Sequence, residues 1–152
     1  HTILFQNKLV QSVCAPKPMV VWTGNSAKTG PKVAKYRKWK NRTSFVFESN
    51  QIVTDFLNNP IEATNSLLTL LIKMSKETGI HYLNETMLDL IKMAKRYNGA
   101  AKPSGAGGGD CMIAFFPSED EEEAFYHECI KRNHLVVPFN LSKGVHFVRP
   151  KE

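Results

Sequence analysis

The stretch Lys102-Pro103-Ser104-Gly105-Ala106-Gly107-Gly108-Gly109-Asp110-Cys111 decides how the rest of this chain is interpreted. Four glycines and one alanine fill positions 105–109, so the segment has too few side chains to build a core. Glycine allows backbone with positive φ and lets N–H groups approach a ligand closely. Amides turned inward in this way bind anions, of which phosphate is the usual one. Residues 104–110, here called the glycine loop, are therefore predicted to bind phosphate.

The composition indicates one globular domain. The chain has 152 residues, of which 42% are hydrophobic, and this is enough for a single core. No apolar run approaches the about 20 residues that a bilayer span requires, so we expect no membrane partner. The net charge of +6 suits an anionic partner such as a phosphorylated small molecule. The basic residues concentrate in 28–42, which we interpret as a solvated helix face because no nucleic-acid-binding motif accompanies them.

The cysteines argue for a reducing compartment. Cys14, Cys111 and Cys129 are widely spaced, odd in number and form no CxxC pair. This pattern predicts free thiols in a cytoplasmic protein and excludes a disulfide framework. The scattered histidines show no ligand spacing either, so we expect no metal site on these side chains.

Hydrophobic periodicity predicts an α+β domain. The predicted strands cover 19–22 and 112–116, and the predicted helices cover 32–39, 45–57, 61–76, 85–97 and 119–132, followed by two further β-rich runs at 135–139 and 144–148. Asn84 and Ser118 are placed as N-caps and Gly79 as a C-cap. Because helices and strands are segregated, we expect two layers, with helices packed on one face of a mainly antiparallel sheet.

The surroundings of the glycine loop exclude the standard nucleotide loops. The preceding helix is predicted to end at Asn98-Gly99, so the loop is expected to run from a helix into a strand. A Walker A loop and a dinucleotide-binding loop both lead from a strand into a helix. The protein-kinase glycine-rich loop lies between two strands and has neighbouring motifs that are absent from this sequence. A plain turn without a ligand stays open as the alternative.

The same ten residues resemble the third conserved motif of the GHMP small-molecule kinases, a family named for galactokinase, homoserine kinase, mevalonate kinase and phosphomevalonate kinase. The Pro-Ser before the glycines and the Asp-Cys after them are most similar to the phosphomevalonate kinase branch. Upstream, Trp22-Thr23-Gly24 with Ala27 and Thr29 is similar to that branch's Trp-Thr-Gly-x-Pro-Ala-Ser-Thr signature. Ser26 and Lys28 depart from the signature, which has Pro and Ser there. The resemblance extends over about residues 19–148.

The resemblance implies a fold and a function. Residues 1–152 would form the family's carboxy-terminal domain, a ferredoxin-like α+β sandwich, without the amino-terminal domain that carries the main ATP loop and the catalytic residues. We therefore expect a fragment, a separately expressed domain or a degenerate stand-alone relative. The implied activity is transfer of the γ-phosphoryl group of ATP to phosphomevalonate, with Mg²⁺ and the amino-terminal domain as partners. Mevalonate kinase, a sugar kinase and a non-catalytic ligand-binding domain are the alternatives.

The candidate site residues follow from the loop and the signature. The phosphate- or substrate-binding candidates are Lys102, Ser104, Gly105, Ala106, Gly107, Gly108, Gly109 and Asp110, with Thr23, Ser26, Lys28 and Thr29 as secondary candidates. Lys102 is placed either on phosphate or in solvent. Asp110 has several possible roles: binding a substrate hydroxyl, orienting a basic neighbour, holding a water of Mg²⁺, or capping the loop itself.

Overall fold

The computed structural model describes residues 2–6, 9–13, 16–138 and 140. In chain order its elements are β1 (Thr2–Gln6), β2 (Leu9–Val13), β3 (Met19–Trp22), α1 (Thr29–Lys38), α2 (Arg42–Asp55), α3 (Pro60–Thr78), α4 (Glu85–Arg96), β4 (Ala100–Pro103), β5 (Cys111–Phe115), α5 (Glu119–Lys131) and β6 (Leu135–Val136). The predicted strand at 144–148 and the thiol of Cys14 lie outside the described residues. None of the described helices is long and apolar enough to span a membrane.

The main sheet has four strands in the order β4-β5-β3-β6, and every neighbouring pair is antiparallel. Strand β3 is central and pairs Val21 with Met112 of β5 and Trp22 with Leu135 of β6. From β3 to β6 the chain thus follows the split β-α-β-β-α-β order of ferredoxin-like folds, with several helices in the first crossover. The predicted α+β class and its mainly antiparallel sheet are confirmed. Strands β1 and β2 form a separate antiparallel pair.

The core lies between one face of this sheet and the helices α3, α4 and α5. Helix α4 begins where Asn84 accepts a hydrogen bond from the N–H of Met87 at 2.9 Å, so the predicted N-cap is confirmed. Its apolar stripe points to the sheet, where Leu90 is buried, whereas Leu88 is 43% exposed. The largest cluster contains Met19, Val21, Leu68, Met87, Leu90, Met93, Met112, Phe125 and Cys129.

Strand β4 corrects the expected path into the glycine loop. The prediction that this loop follows a helix directly is wrong, because Ala100–Pro103 pairs with β5 before the loop begins. Small residues without β-branching give little strand signal, and a proline is tolerated here because β4 is an edge strand. The glycine loop is therefore the connection of a β-hairpin, β4–β5.

Helices α1 and α2 lie outside the core and have no buried residues. Three aromatic rings at their junction, those of Tyr36, Trp39 and Phe45, pack together with centroids 5.6 to 6.0 Å apart. The indole N–H of Trp39 and the amide of Asn41 both donate to the carboxylate of Glu77 on α3, at 3.0 and 2.8 Å. These contacts hold the junction of α1 and α2 against α3.

Candidate functional site

The glycine loop is tied to the end of strand β3. The N–H of Thr23 and its hydroxyl both donate to the backbone carbonyl of Asp110, at 2.9 and 2.7 Å. In return the N–H of Asp110 donates to the carbonyl of Asn25 at 2.6 Å, and its carboxylate accepts from the N–H of Ala27 at 3.2 Å. Residues 23–28, here called the signature segment, and the glycine loop therefore form one hydrogen-bonded unit, although about 80 residues separate them in sequence.

Close packing explains why small residues are needed in this unit. A Cβ on Gly109 would lie 2.8 Å from three backbone atoms of the signature segment, in Asn25, Ser26 and Ala27. Real Cβ atoms do not come so close to backbone, so glycine is required here for space. By contrast, a Cβ on Gly105 would meet nothing within 4 Å. The glycines of the loop thus have different roles, and only some of them serve packing.

Some of the backbone amides of the glycine loop already donate hydrogen bonds to carbonyl groups of the protein. The N–H groups of Ser104, Gly108 and Asp110 donate to the carbonyls of Cys111, Tyr82 and Asn25. Within the described part of the chain, no protein acceptor is found for the N–H groups of Gly105, Ala106, Gly107 and Gly109. The phosphate-binding capacity expected of the loop is therefore limited to these four amides and the hydroxyl of Ser104.

A basic cavity of about 310 Å³ lies between the signature segment, α1 and the segment before α4. Three lysines, Lys28, Lys32 and Lys35, are among the residues that line it, and none of its described lining residues is acidic. Lys35 donates to the carbonyl of Gly79 at 2.9 Å and Lys32 donates to the carbonyl of Gly107. Each ammonium has three donors, so both have donors left for an anion. The other residues that line the basic cavity are Ser26, Ala27, Pro31, Ile80, His81, Leu83, Asn84 and Gly108.

Comparison with known proteins identifies the family. A sequence profile described as "GHMP kinases C terminal" matches residues 54–134, which is more than half of the chain. This chain belongs to the GHMP kinase family. The matched region runs from the end of α2 through the glycine loop to the end of α5, so the resemblance expected from the loop residues is confirmed.

Relatives of this GHMP kinase domain include a phosphomevalonate kinase. The phosphomevalonate kinase of Streptomyces sp. strain CL190 is 32% identical over 130 residues, an alignment covering 72% of this chain and 34% of the relative. Among solved structures, Lin0012 of Listeria innocua superimposes with a TM-score of 0.76 at 24% identity, covering 87% of this chain and 41% of that one. The structure of Streptococcus pneumoniae phosphomevalonate kinase in complex with phosphomevalonate and AMPPNP gives a TM-score of 0.64 at 18% identity. The superposition covers 86% of this chain and 41% of that one.

Mevalonate kinases share the same fold. The enzyme of L. major in complex with R-mevalonate gives a TM-score of 0.61 at 17% identity, covering 86% of this chain and 44% of that one. These structural likenesses are below 25% identity and establish the fold. This GHMP kinase domain spans about a third of its curated relative and about two fifths of the solved chains.

Apart from Lys102, the predicted site residues of this GHMP kinase domain fall into four groups. Ser26, Lys28 and Gly108 line the basic cavity. Thr23, Gly109 and Asp110 join the glycine loop to the signature segment, and Gly107 accepts from Lys32. Gly105 and Ala106 face a second, largely apolar cavity of about 210 Å³. Ser104 and Thr29 are exposed, and neither lines either cavity.

Lys102 lies apart from the basic cavity. Its side chain is half-buried on β4, and its ammonium donates to the carbonyl of Pro103 at 2.9 Å. Burial lowers the pKa of this ammonium. The side chain is thus partly withdrawn from solvent, and contact of Lys102 with phosphate stays a prediction.

Sequence reasoning missed four polar residues that line the basic cavity, Lys32, Lys35, His81 and Asn84. The two lysines belong to the basic run that was interpreted as a solvated helix face. Their spacing was a usable signal, because Lys28, Lys32 and Lys35 recur at intervals of four and three residues, which is the spacing of side chains on one side of a helix. In the structure Lys32 and Lys35 lie in α1, and Lys28 is its N-cap. His81 and Asn84 had no such signal, since only the fold brings residues 80–84 to the glycine loop.

Proposed function

We propose that this chain is the carboxy-terminal part of an ATP-dependent kinase whose acceptor is already phosphorylated, with phosphomevalonate as the substrate. The basic cavity is the observation that carries the proposal. It presents three lysines and no described acidic side chain next to the two segments that carry the resemblance. A doubly charged phosphate group would be favoured there over a neutral hydroxyl acceptor.

The chemistry of phosphoryl transfer suits such a site. Catalysis of this reaction depends mainly on positioning the groups and neutralising charge on the transferred phosphoryl. The uncommitted amides of the glycine loop and the ammonium groups of Lys28 and Lys35 supply donors and charge for this purpose. The 32% identity to a phosphomevalonate kinase supports this branch over mevalonate and sugar kinases.

ATP and Mg²⁺ are part of the proposal through the family. Among the described residues, no group of three His, Cys, Asp or Glu side chains could hold a metal ion. We expect Mg²⁺ to accompany the nucleotide, since this ion is usually held by substrate phosphates with only one or two carboxylates. The catalytic residues and the main ATP loop are expected in an amino-terminal domain, which would be the direct partner of this one. A cytoplasmic location belongs to the same proposal.

The test is ADP release by the complete gene product, offered phosphomevalonate, mevalonate and a sugar phosphate separately. We expect turnover with phosphomevalonate alone. Turnover only with mevalonate or a sugar phosphate would contradict the proposed acceptor and leave a GHMP kinase of another branch. No turnover from a folded, complete protein would indicate a non-catalytic ligand-binding domain.

A charge variant links the activity to the basic cavity. Lys28→Met removes one ammonium from it, and we expect the KM for phosphomevalonate to rise about tenfold, since hydrogen bonds to charged groups contribute roughly 1.5–3 kcal/mol. Lys38→Met is the matched control, because it changes the net charge equally but lies on α1 away from this cavity. An equal rise of the KM in both variants would mean that only the overall charge of the domain affects the binding of phosphomevalonate.

A further inference from the structure

The peptide unit between Gly107 and Gly108 is held at both ends. Its carbonyl accepts a hydrogen bond from the ammonium of Lys32, and its N–H donates to the carbonyl of Tyr82 at 2.7 Å. The two partners come from different elements, α1 and the segment that precedes α4. The orientation of this one peptide plane is therefore set from opposite sides by the rest of the domain.

Space and backbone conformation at this point are both restrictive. Gly107 and Gly108 have φ of +71° and +70°, which other residues adopt rarely. A Cβ on Gly108 would lie 2.7 Å from Nζ of Lys32 and 2.8 Å from the carbonyl oxygen of His81. The loop thus passes through a gap that Lys32 closes on one side. Without the ammonium, the carbonyl of Gly107 would lose this partner, and two successive glycines offer little resistance to rotation of the peptide.

Lys32 also faces the basic cavity. The hydrogen bond to Gly107 uses one of its three donors, which leaves two for an anion in that cavity. Lys32 also borders the second, apolar cavity beside Val33, Tyr36 and Tyr82. Apolar stems of lysine commonly cover such surface while the charged end reaches a polar site. Lys32 therefore contacts the loop backbone through its ammonium and also lines the space proposed for the phosphate.

We propose that Lys32 is a positioning residue that holds the Gly107–Gly108 peptide in place and couples its orientation to an anion in the basic cavity. Only the activity readout rests on the proposed function, because the loop conformation can be measured without turnover. Lys35 provides the comparison, since it lines the same cavity but donates to Gly79 instead of the glycine loop.

The experiment measures the rate of amide hydrogen exchange at Gly108, within the glycine loop, in the complete gene product. In Lys32→Met we expect exchange at Gly108 to be about tenfold faster, in line with loss of a hydrogen bond to a charged group. In Lys35→Met this exchange should be unchanged. Binding of inorganic phosphate should weaken in both variants, since both lose an ammonium from the cavity. For turnover, Lys32→Met should lower kcat, Lys35→Met should mainly raise KM, and Lys32→Arg should restore part of the kcat.

Two outcomes would overturn the proposal. One is unchanged exchange at Gly108 in folded Lys32→Met, and the other is an equal increase in Lys35→Met. If Lys32→Met does not fold, the unmodified protein decides: a through-hydrogen-bond NMR coupling between ¹⁵Nζ of Lys32 and ¹³C′ of Gly107 is expected, and its absence would contradict the assignment. Absence of kinase turnover in the unmodified protein would count against the proposed function and leave the exchange result standing.

Discussion

The hydroxyl of Thr23 donates to the carbonyl oxygen of Asp110 at 2.7 Å, and the N–H of Thr23 donates to the same oxygen at 2.9 Å. Thr23 follows strand β3, and Asp110 is the last residue before β5. Because β3 and β5 are neighbours in the sheet, this pair of bonds fixes the direction in which the glycine loop enters strand β5. The position of the proposed phosphate site is therefore set by the register of two central strands.

Removing the hydroxyl of Thr23 should destabilise the domain. Thr23 is buried, and Thr23→Val keeps its shape while it removes the 2.7 Å bond, so we expect a loss of about 1 kcal/mol in the free energy of unfolding. Urea denaturation measures this loss. Thr29→Val is the control, because Thr29 is exposed at the start of α1, and it should change stability by less than about 0.5 kcal/mol. Equal effects of the two substitutions would contradict the importance of the Thr23 bond.

Two alanine substitutions in the glycine loop should have opposite outcomes. Gly109→Ala places a Cβ 2.8 Å from backbone atoms of the signature segment, so we expect a loss of roughly 1–3 kcal/mol in stability. Gly105→Ala meets open space at an ordinary φ and should be neutral or stabilising by up to about 1 kcal/mol. Both are measured by denaturant unfolding, and similar costs at both positions would show that the close approach at Gly109 is not the cause.

Asp110 can be tested for its structural and its electrostatic role separately. Its φ of +60° is tolerated by Asn as well as Asp, and an amide oxygen can still accept from the N–H of Ala27. We expect Asp110→Asn to keep the stability of the parent within about 0.5 kcal/mol and Asp110→Ala to lose about 1–2 kcal/mol. If Asp110→Asn is stable but inactive in the ADP-release assay, the charge acts on the substrate or its metal. If it is stable and active, capping of the loop is the role of Asp110.

The burial of Lys102 predicts that the free energy of unfolding of the domain depends on pH. Burial lowers the pKa of its ammonium in the folded chain below the ordinary value of 10.5, so the unfolded chain binds more protons between these two values. The contribution of Lys102 to the free energy of unfolding is therefore least favourable at pH values below the pKa in the folded chain. It becomes more favourable as the pH rises towards 10.5. We expect Lys102→Met to be more stable than the parent at pH 7, with a smaller difference at pH 10.

Thermal unfolding of both proteins at the two pH values checks this expectation. Lys92→Met, an exposed position on α4, controls for the loss of one positive charge. A Lys102→Met variant that is less stable than the parent by the same amount at both pH values would show that the bond to Pro103 outweighs the cost of burial.

The positions of α3, α4 and α5 were predicted well because their signals are local. Asn84 and Ser118 cap their helices as expected, and their side chains accept from the N–H groups of Met87 and Glu121. Strand β4 and the pair β1–β2 were missed, because pairing partners stabilise strands and a short sequence window does not contain them. Among the described residues of the predicted β-rich run at 135–139, the strand covers Leu135–Val136.

The sequence by itself determined the family, the α+β class and the presence of a loop with little side-chain volume, because all three depend on residue types and spacings along the chain. Only the tertiary structure decided which groups meet at that loop. Lys32 and Lys35 become walls of a cavity because α1 is held beside residues 80–84, and Thr23 meets Asp110 because β3 pairs with β5. Such contacts between distant parts of the chain arise from packing and strand register, which no local pattern contains.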